Sequence, residues 1–203
     1  MRVKSMKFPE PIQKLINQFS KLPTVGPKTA ERYAFYLLKQ STNDLKLLAE
    51  AITEVKEKTM ICGQCFSIAE SNPCPICTDS KRNAETLCIV SDARNMLSIE
   101  ATGNYQGLYF ILGGELNQLE GAGPDQLNIK PLIEKIKTKK ITEIILGLNP
   151  TIEGETTTLY LTKLIKPYQI KITRLAKGLP MGADLEYIDE LTLSNALKYR
   201  NEL

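Results

Sequence analysis

The feature that most constrains this chain is a set of four cysteines, Cys62, Cys65, Cys74 and Cys77, spaced Cys-x2-Cys-x8-Cys-x2-Cys. Each Cys-x-x-Cys pair can present two thiolates to one metal ion, and the loop between the pairs lets both close on the same ion. An all-thiolate set of four is a closed, structural site with no open position for water. Sixteen residues interrupted by Pro73 and Pro75 cannot bury a hydrophobic core. Metal must therefore supply the folding energy of this segment. One structural Zn2+ per chain is the expected cofactor, with iron in a rubredoxin-like site or redox disulfides as the alternatives. The fifth cysteine, Cys88, falls in an apolar run and is expected to act as a small core residue.

The surroundings fit thiols rather than disulfides. No run of 18 apolar residues is present, and Met1-Arg2-Val3-Lys4 lacks the apolar stretch of a signal peptide. These features point to a cytoplasmic chain, in a compartment where cysteines stay reduced; nucleoid association is expected only from the DNA-binding motif. The 203 residues contain no His and no Trp. Catalysis would thus have to rest on carboxylates, Lys, Tyr, Cys or a bound metal.

Before the cysteines the sequence is helical. Ile12, Leu15, Ile16 and Phe19 form one stripe; Ala30, Ala34, Leu37 and Leu38 form a second; Leu45, Leu48, Ala49 and Ile52 form a third. Residues 1–60 hold eleven Lys or Arg against six acids, so this third of the chain is basic on an otherwise near-neutral body. Between the first two stripes lies Leu22-Pro-Thr-Val-Gly-Pro-Lys-Thr-Ala, which resembles a helix–hairpin–helix DNA-binding motif. A tight turn into a helix leaves backbone N–H groups free to meet phosphate oxygens. Lys28 and Arg32, four residues apart, share a face beside that turn, with Gly26 in the hairpin. Contacts of this kind grip the backbone and read no base sequence. Thr24 stands where the motif usually carries a second Gly. A Gly there would permit positive φ, which Thr resists, so a slightly reshaped hairpin is expected.

After the cysteines, apolar strands alternate with helices: strands at 87–90, 108–112, 143–148 and 170–175, and helices at 92–100, 128–138, 155–166 and 192–200. That alternation predicts a parallel sheet covered on both faces. The fold class is α/β with an all-helical N-terminal module. Expected boundaries are 1–58 for the helical DNA-binding module, 59–79 for the four-cysteine zinc knuckle, 80–176 for the α/β domain, and 177–203 for a C-terminal tail and helix suited to oligomer contacts. Two strand ends, Ser91-Asp92 and Asn149-Pro-Thr-Ile-Glu-Gly-Glu155, resemble a Toprim domain. Catalytic members hold Mg2+ with a Glu after the first strand and Asp-x-Asp after the third. Here Ser91 and Asn149-Pro150-Thr151 occupy those places. Asp92, Glu153 and Glu155 remain as a weak Mg2+ or partner site. The other reading puts Glu153 and Glu155 in the first turn of a helix, where negative charge is favoured.

Taken together, these segments resemble the RecR family of bacterial recombination mediators. The resemblance runs through the hairpin, the four cysteines, Gly107-Leu-Tyr, Leu112-Gly-Gly, Leu148-Asn-Pro-Thr-Ile-Glu-Gly-Glu and Arg174-Leu-Ala-Lys-Gly-Leu-Pro-Met-Gly-Ala-Asp-Leu-Glu-Tyr. It implies a non-enzymatic protein that assembles as a tetrameric ring, or a dimer, around DNA. It implies work with RecO, and in many bacteria RecF, to load RecA on gapped single strands. The hairpin's DNA contacts map onto Lys28 and Arg32. Ser91, usually Glu in the family, argues against a divalent-metal role. The alternatives are an Mg2+-dependent Toprim nuclease or primase, and an RNA-binding protein. The sequence shows no evident aromatic cluster on which RNA bases would stack.

Overall fold

The computed structural model describes residues 8–117, 121–176 and 178–200. Arg2, Lys4 and Lys7 of the basic third, and Lys177 of the Arg174–Tyr187 segment, lie outside the described residues. The chain divides into two compact units, Met1–Thr59 and Met60–Leu203. No helix among the described residues is long and apolar enough to cross a membrane.

The first unit holds α1 (Glu10–Phe19), α2 (Pro27–Leu37) and α3 (Thr42–Glu57). Its core is small: Ile16, Ala30 and Ala34 are buried, with Ile12, Leu15, Phe19 and Val25 packed around them. The two alanines let α1 and α2 approach closely. Leu38, expected on the buried side, is 56% exposed. The third stripe also stays open, since α3 has no buried residue. Ser41 caps α3 by accepting from the Asp44 amide at 3.1 Å.

The second unit begins with the knuckle. A two-residue hairpin, β1 (Met60–Ile61) with β2 (Ile68–Ala69), is followed by one helical turn, α4 (Pro75–Thr78). The α/β domain then runs β3 (Asn83–Val90), α5 (Ala93–Glu100), β4 (Gly107–Ile111), α6 (Ile129–Thr138), β5 (Glu143–Leu146), α7 (Ile152–Ile165) and β6 (Lys171–Arg174). The four strands are parallel, in the order β4-β3-β5-β6. From β3 the chain steps to one side, then returns across β3 to build the other side. Right-handed crossovers in opposite directions place α5 on one face and α6 and α7 on the other.

The core divides accordingly. Leu87, Ile89, Phe110, Leu112, Ile144 and Leu146 pack with Leu132, Ile136, Leu161 and Ile165 of α6 and α7. Cys88, Val90, Tyr109 and Ile111 pack with Met96 of α5. Cys88 is 1% exposed, and burial alone pushes its thiol up to about 12, consistent with a core residue rather than a nucleophile. The helix α8 (Glu190–Lys198) follows, its N-terminus capped by Asp189.

Helix α7 starts three residues earlier than expected. Its N-cap is Thr151, which accepts from the Gly154 amide, so Glu153 and Glu155 both lie in the first turn. The capping hydroxyl and the two acids suit an N-terminus better than the apolar stripe alone indicates. Asp92 caps α5 as expected, accepting from the amides of Arg94 and Asn95.

Candidate nucleic-acid interface and metal centre

The four knuckle cysteines converge. Their sulfurs all lie within 4.8 Å of one another, with Cys62 to Cys77 at 3.9 Å and Cys65 to Cys74 at 3.6 Å. Four thiolates around Zn2+ at about 2.3 Å leave adjacent sulfurs about 3.8 Å apart, so the cage already has the size of a tetrahedral zinc site. Backbone amides of Gln64 and Cys74 point at the Cys62 sulfur, each at 3.4 Å, as expected around a thiolate ligand. The thiols oppose one another as acids. A hydrogen bond from Cys77 lowers Cys65 to about 5, and that same contact with burial raises Cys77. Burial raises Cys74 as well. Thiolates this close repel one another unless a cation sits among them. The cofactor is one structural zinc per chain, held by Cys62, Cys65, Cys74 and Cys77.

The knuckle is part of the second unit's packing. The Cys65 carbonyl accepts from the Ile111 amide of β4 at 2.8 Å. Phe66, at φ +64, sets its ring 5.2 Å from Phe110 and touches both core clusters. Lys135 of α6 donates to the Gln64 carbonyl at 3.0 Å. Just after the knuckle, Arg82 lies largely buried; it donates to the carboxylate of Glu100 through both terminal nitrogens and to the Gly107 carbonyl. Tyr109 donates to the same carboxylate at 2.8 Å. Arg82 holds Glu100 below the usual carboxylate range, and the Tyr109 bond adds to that effect.

The carboxyl ends of β3 and β5 form the crevice where the strand order reverses, the usual site position in open α/β sheets. Here it is filled by a serine–asparagine network tied to one carboxylate, Glu115. Ser91 Oγ donates to Asn95 Oδ1 at 3.0 Å, and Asn95 Nδ2 donates to Asn149 Oδ1 at 3.0 Å. Asn149 Nδ2 donates to Ser91 Oγ at 3.5 Å and to Glu115 Oε1 at 3.0 Å. The Asn149 amide reaches the same Glu115 oxygen, while Thr151 Oγ1 donates to the other.

Glu115 is the residue that sequence reasoning missed. It sits on the loop after β4, which Gly113 and Gly114 turn at φ +90 and +149. The buried Thr157 hydroxyl anchors that loop by accepting from the Leu116 amide at 2.8 Å. The Gly-Gly pair followed at once by an acid was the available signal.

The three acids singled out from the sequence are not brought together. Asp92 accepts from the N-terminus of α5 and from Arg94. Burial works against its ionisation, but the Asn95 amide and Arg94 outweigh that and hold its carboxyl below the ordinary value. Glu155 pairs with Arg174 at 3.2 Å. Among the described residues, the four cysteines are the sole grouping of His, Cys, Asp or Glu ligand atoms close enough to share a metal.

In the first unit, Pro27 opens α2 and Gly26 is its N-cap, with no side chain capping the helix. Lys28 and Arg32 are exposed one turn apart on its first two turns. Among the described residues neither forms an ion pair. Gly26 has an ordinary extended conformation, φ −77 and ψ 167, and a Cβ added there would meet nothing within 4 Å. Neither strain nor crowding within the described chain requires glycine at this position.

Thr24 was expected to reshape the hairpin, and the structure differs. Thr24 takes φ +67, and the Val25 amide bonds the Leu22 carbonyl at 3.1 Å, with Pro23 between, in the pattern of a type II turn. The turn is kept, and the residue carries the strain. A left-handed non-Gly residue costs about 1–2 kcal/mol, partly offset by glycine's greater freedom when unfolded, about 0.5–1 kcal/mol. Thr24→Gly should therefore stabilise the helical unit by about 0.5–1 kcal/mol. Thermal melting of the full chain followed by helix signal checks this, and a lower melting temperature would refute it.

Comparison with known proteins agrees with this architecture. Residues 12–56 match the family described as RecR, helix-hairpin-helix, and residues 59–79 match the RecR zinc finger domain of the four-cysteine type. Residues 85–176 match Toprim domain, and 178–201 match RecR, C-terminal. A protein named Recombination protein RecR from Staphylococcus aureus is 46% identical over 98% of this chain and 100% of its own length. The protein of that name from Gloeothece citriformis is 47% identical over 97% of this chain and 98% of its own. Another, from Bifidobacterium animalis subsp. lactis, is 50% identical over 95% of this chain and 96% of its own. With all four parts matched in order and near full-length identity to such relatives, the chain belongs to the RecR family of recombination proteins.

Proposed function

We propose that this chain is a non-catalytic DNA repair and recombination mediator that clamps DNA without regard to sequence and works with RecO, and RecF where present, to load RecA on gapped single strands. The observation that carries the DNA reading is the start of α2. An uncapped helix N-terminus, an open surface at Gly26, and the exposed cations Lys28 and Arg32 lie together. A bare glycine lets a phosphate approach the free amides, and the two cations hold the same backbone strand.

One such grip is weak. Several copies around one DNA gain avidity through effective concentration. Apolar surfaces suited to self-association support a dimer or tetramer ring. Leu47, Leu48, Ile52 and Val55 are exposed on α3, and Met181, Tyr187, Leu191 and Leu197 are exposed towards the C-terminus. The same residues would bind single- or double-stranded DNA, since both present phosphates. The nuclease or primase reading is not favoured, because the Toprim crevice offers a serine–asparagine network with one carboxylate, Glu115, which is hydrogen-bonded through both oxygens.

The test uses a labelled gapped duplex with Mg2+, over a range of salt, read on native and denaturing gels. The wild-type chain should give a retarded complex with intact strands. The Lys28→Ala, Arg32→Ala double variant should bind more weakly on every sequence, with the salt slope reduced by about one per lost phosphate contact. Unchanged binding in that variant would remove the assigned DNA site. EDTA-sensitive cutting or extension would replace the mediator reading with an enzyme. RecA loading on the same substrate, with and without RecO, tests the partner assignment.

A further inference from the structure

Helix α2 continues past Arg32 as more than a scaffold for the hairpin. At 3.6 residues per turn, Lys28, Arg32, Phe35 and Tyr36 fall within an arc of about 100°, opposite the buried Ala30 and Ala34, and Lys39 follows in the turn just past the C-cap Leu38. This face carries three cations, two rings and no acid. Among the described residues, Lys28, Arg32 and Lys39 form no ion pair. Arg32, Tyr33, Phe35, Tyr36 and Lys39 line one shallow concavity.

Two of its rings are held in place. Phe35 packs edge-on against Phe8 at 5.2 Å, and Tyr33 packs against Phe19 at 5.8 Å. Tyr36 is 63% exposed and lies between the cations. Along the chain Tyr33, Phe35 and Tyr36 stand within four consecutive residues, flanked by Arg32 and Lys39, an aromatic cluster that sequence reasoning passed over; the helical phase turns Phe35 and Tyr36 to the side of the cations.

We propose that this face is a stacking track for single-stranded DNA. An unpaired base stacks on Tyr36 while Arg32 and Lys39 hold the phosphates on either side, continuing the path from Lys28 over about 12 Å of helix to Tyr36 and on to Lys39. Charge complementarity fixes the polyanion, and the exposed ring fixes the strand state. Duplex bases are already stacked on each other and offer no face to Tyr36. The proposal rests on the DNA-binding reading above and adds strand selectivity to it: the hairpin grips any backbone, and the track favours the unpaired region of a gap.

The test exploits the absence of Trp from the chain. Tyr36→Trp places a sole indole at the track. Titration with oligo-dT should quench its fluorescence, whereas a duplex of equal length should bind with little quenching. In parallel, Tyr36→Ala should weaken oligo-dT binding about tenfold, leave duplex binding within about twofold, and be rescued by Tyr36→Phe. Unquenched fluorescence on saturating oligo-dT would overturn the proposal, as would equal loss on both substrates. Loss of both substrates in the Lys28→Ala, Arg32→Ala variant, with no effect of Tyr36→Ala, would leave the DNA-binding reading standing and remove the track. A wild-type chain that binds neither substrate would remove both.

Discussion

Stripping zinc should unravel residues 60–79 and lower the melting temperature of the whole second unit. The reason is the way the knuckle is used. The sulfur cage replaces a core that the segment lacks, and structural zinc contributes about 10–16 kcal/mol of apparent binding energy in isolated fingers. The effect does not stop at the cage, because Phe66 and Ile76 leave the knuckle to pack on the sheet domain. Cys65→Ser should therefore cost more than about 4 kcal/mol and reduce bound zinc from one per chain towards none. Metal analysis beside a thermal melt gives both readings. Acid should act in the same direction, since protons compete with zinc for the thiolates, so metal retention falls as pH falls. A Cys65→Ser protein that holds no zinc and melts like the wild type would overturn this account.

The second large effect should come from a single methyl group. A Cβ at residue 154 would lie 1.9 Å from the Asn149 carbonyl oxygen, a backbone atom that no rotamer change can clear. Glycine lets the first turn of α7 seat directly on the loop leaving β5. That seating carries the Thr151 cap and keeps Asn149 and Thr151 on Glu115. Gly154→Ala should force α7 back and cost about 3–4 kcal/mol, at the upper end for a point change. Chemical denaturation measures the loss. A variant within about 1 kcal/mol of wild type would mean that the helix start shifts freely.

Much of this was legible from the residues. Cysteine spacing gives the cage because ligand chemistry is local, and Asp92 marks the start of α5 because a cap is local too. What stayed hidden depends on distant pairs or on phase. Glu115 meets Asn149 across 34 positions, and Arg82 meets Glu100 across 18; neither pairing leaves a periodic trace. The strands of the small hairpin, two residues each, are too short to show alternation. Thr24 misled for another reason. Intrinsic preference opposes positive φ there, but the turn between two packed helices determines the backbone, and the residue follows.

The bond from the Ile111 amide to the Cys65 carbonyl has a further consequence. β4 is the outermost strand on its side of the sheet, and Leu-Tyr-Phe-Ile within it is an apolar, uncharged run. Such a margin, left bare, is a template for joining another chain strand to strand. The knuckle sits on that margin like a stopper. Chain held without its metal, during synthesis or under oxidation of the thiols, should therefore be prone to strand-to-strand aggregation, and its solubility should fall with zinc supply.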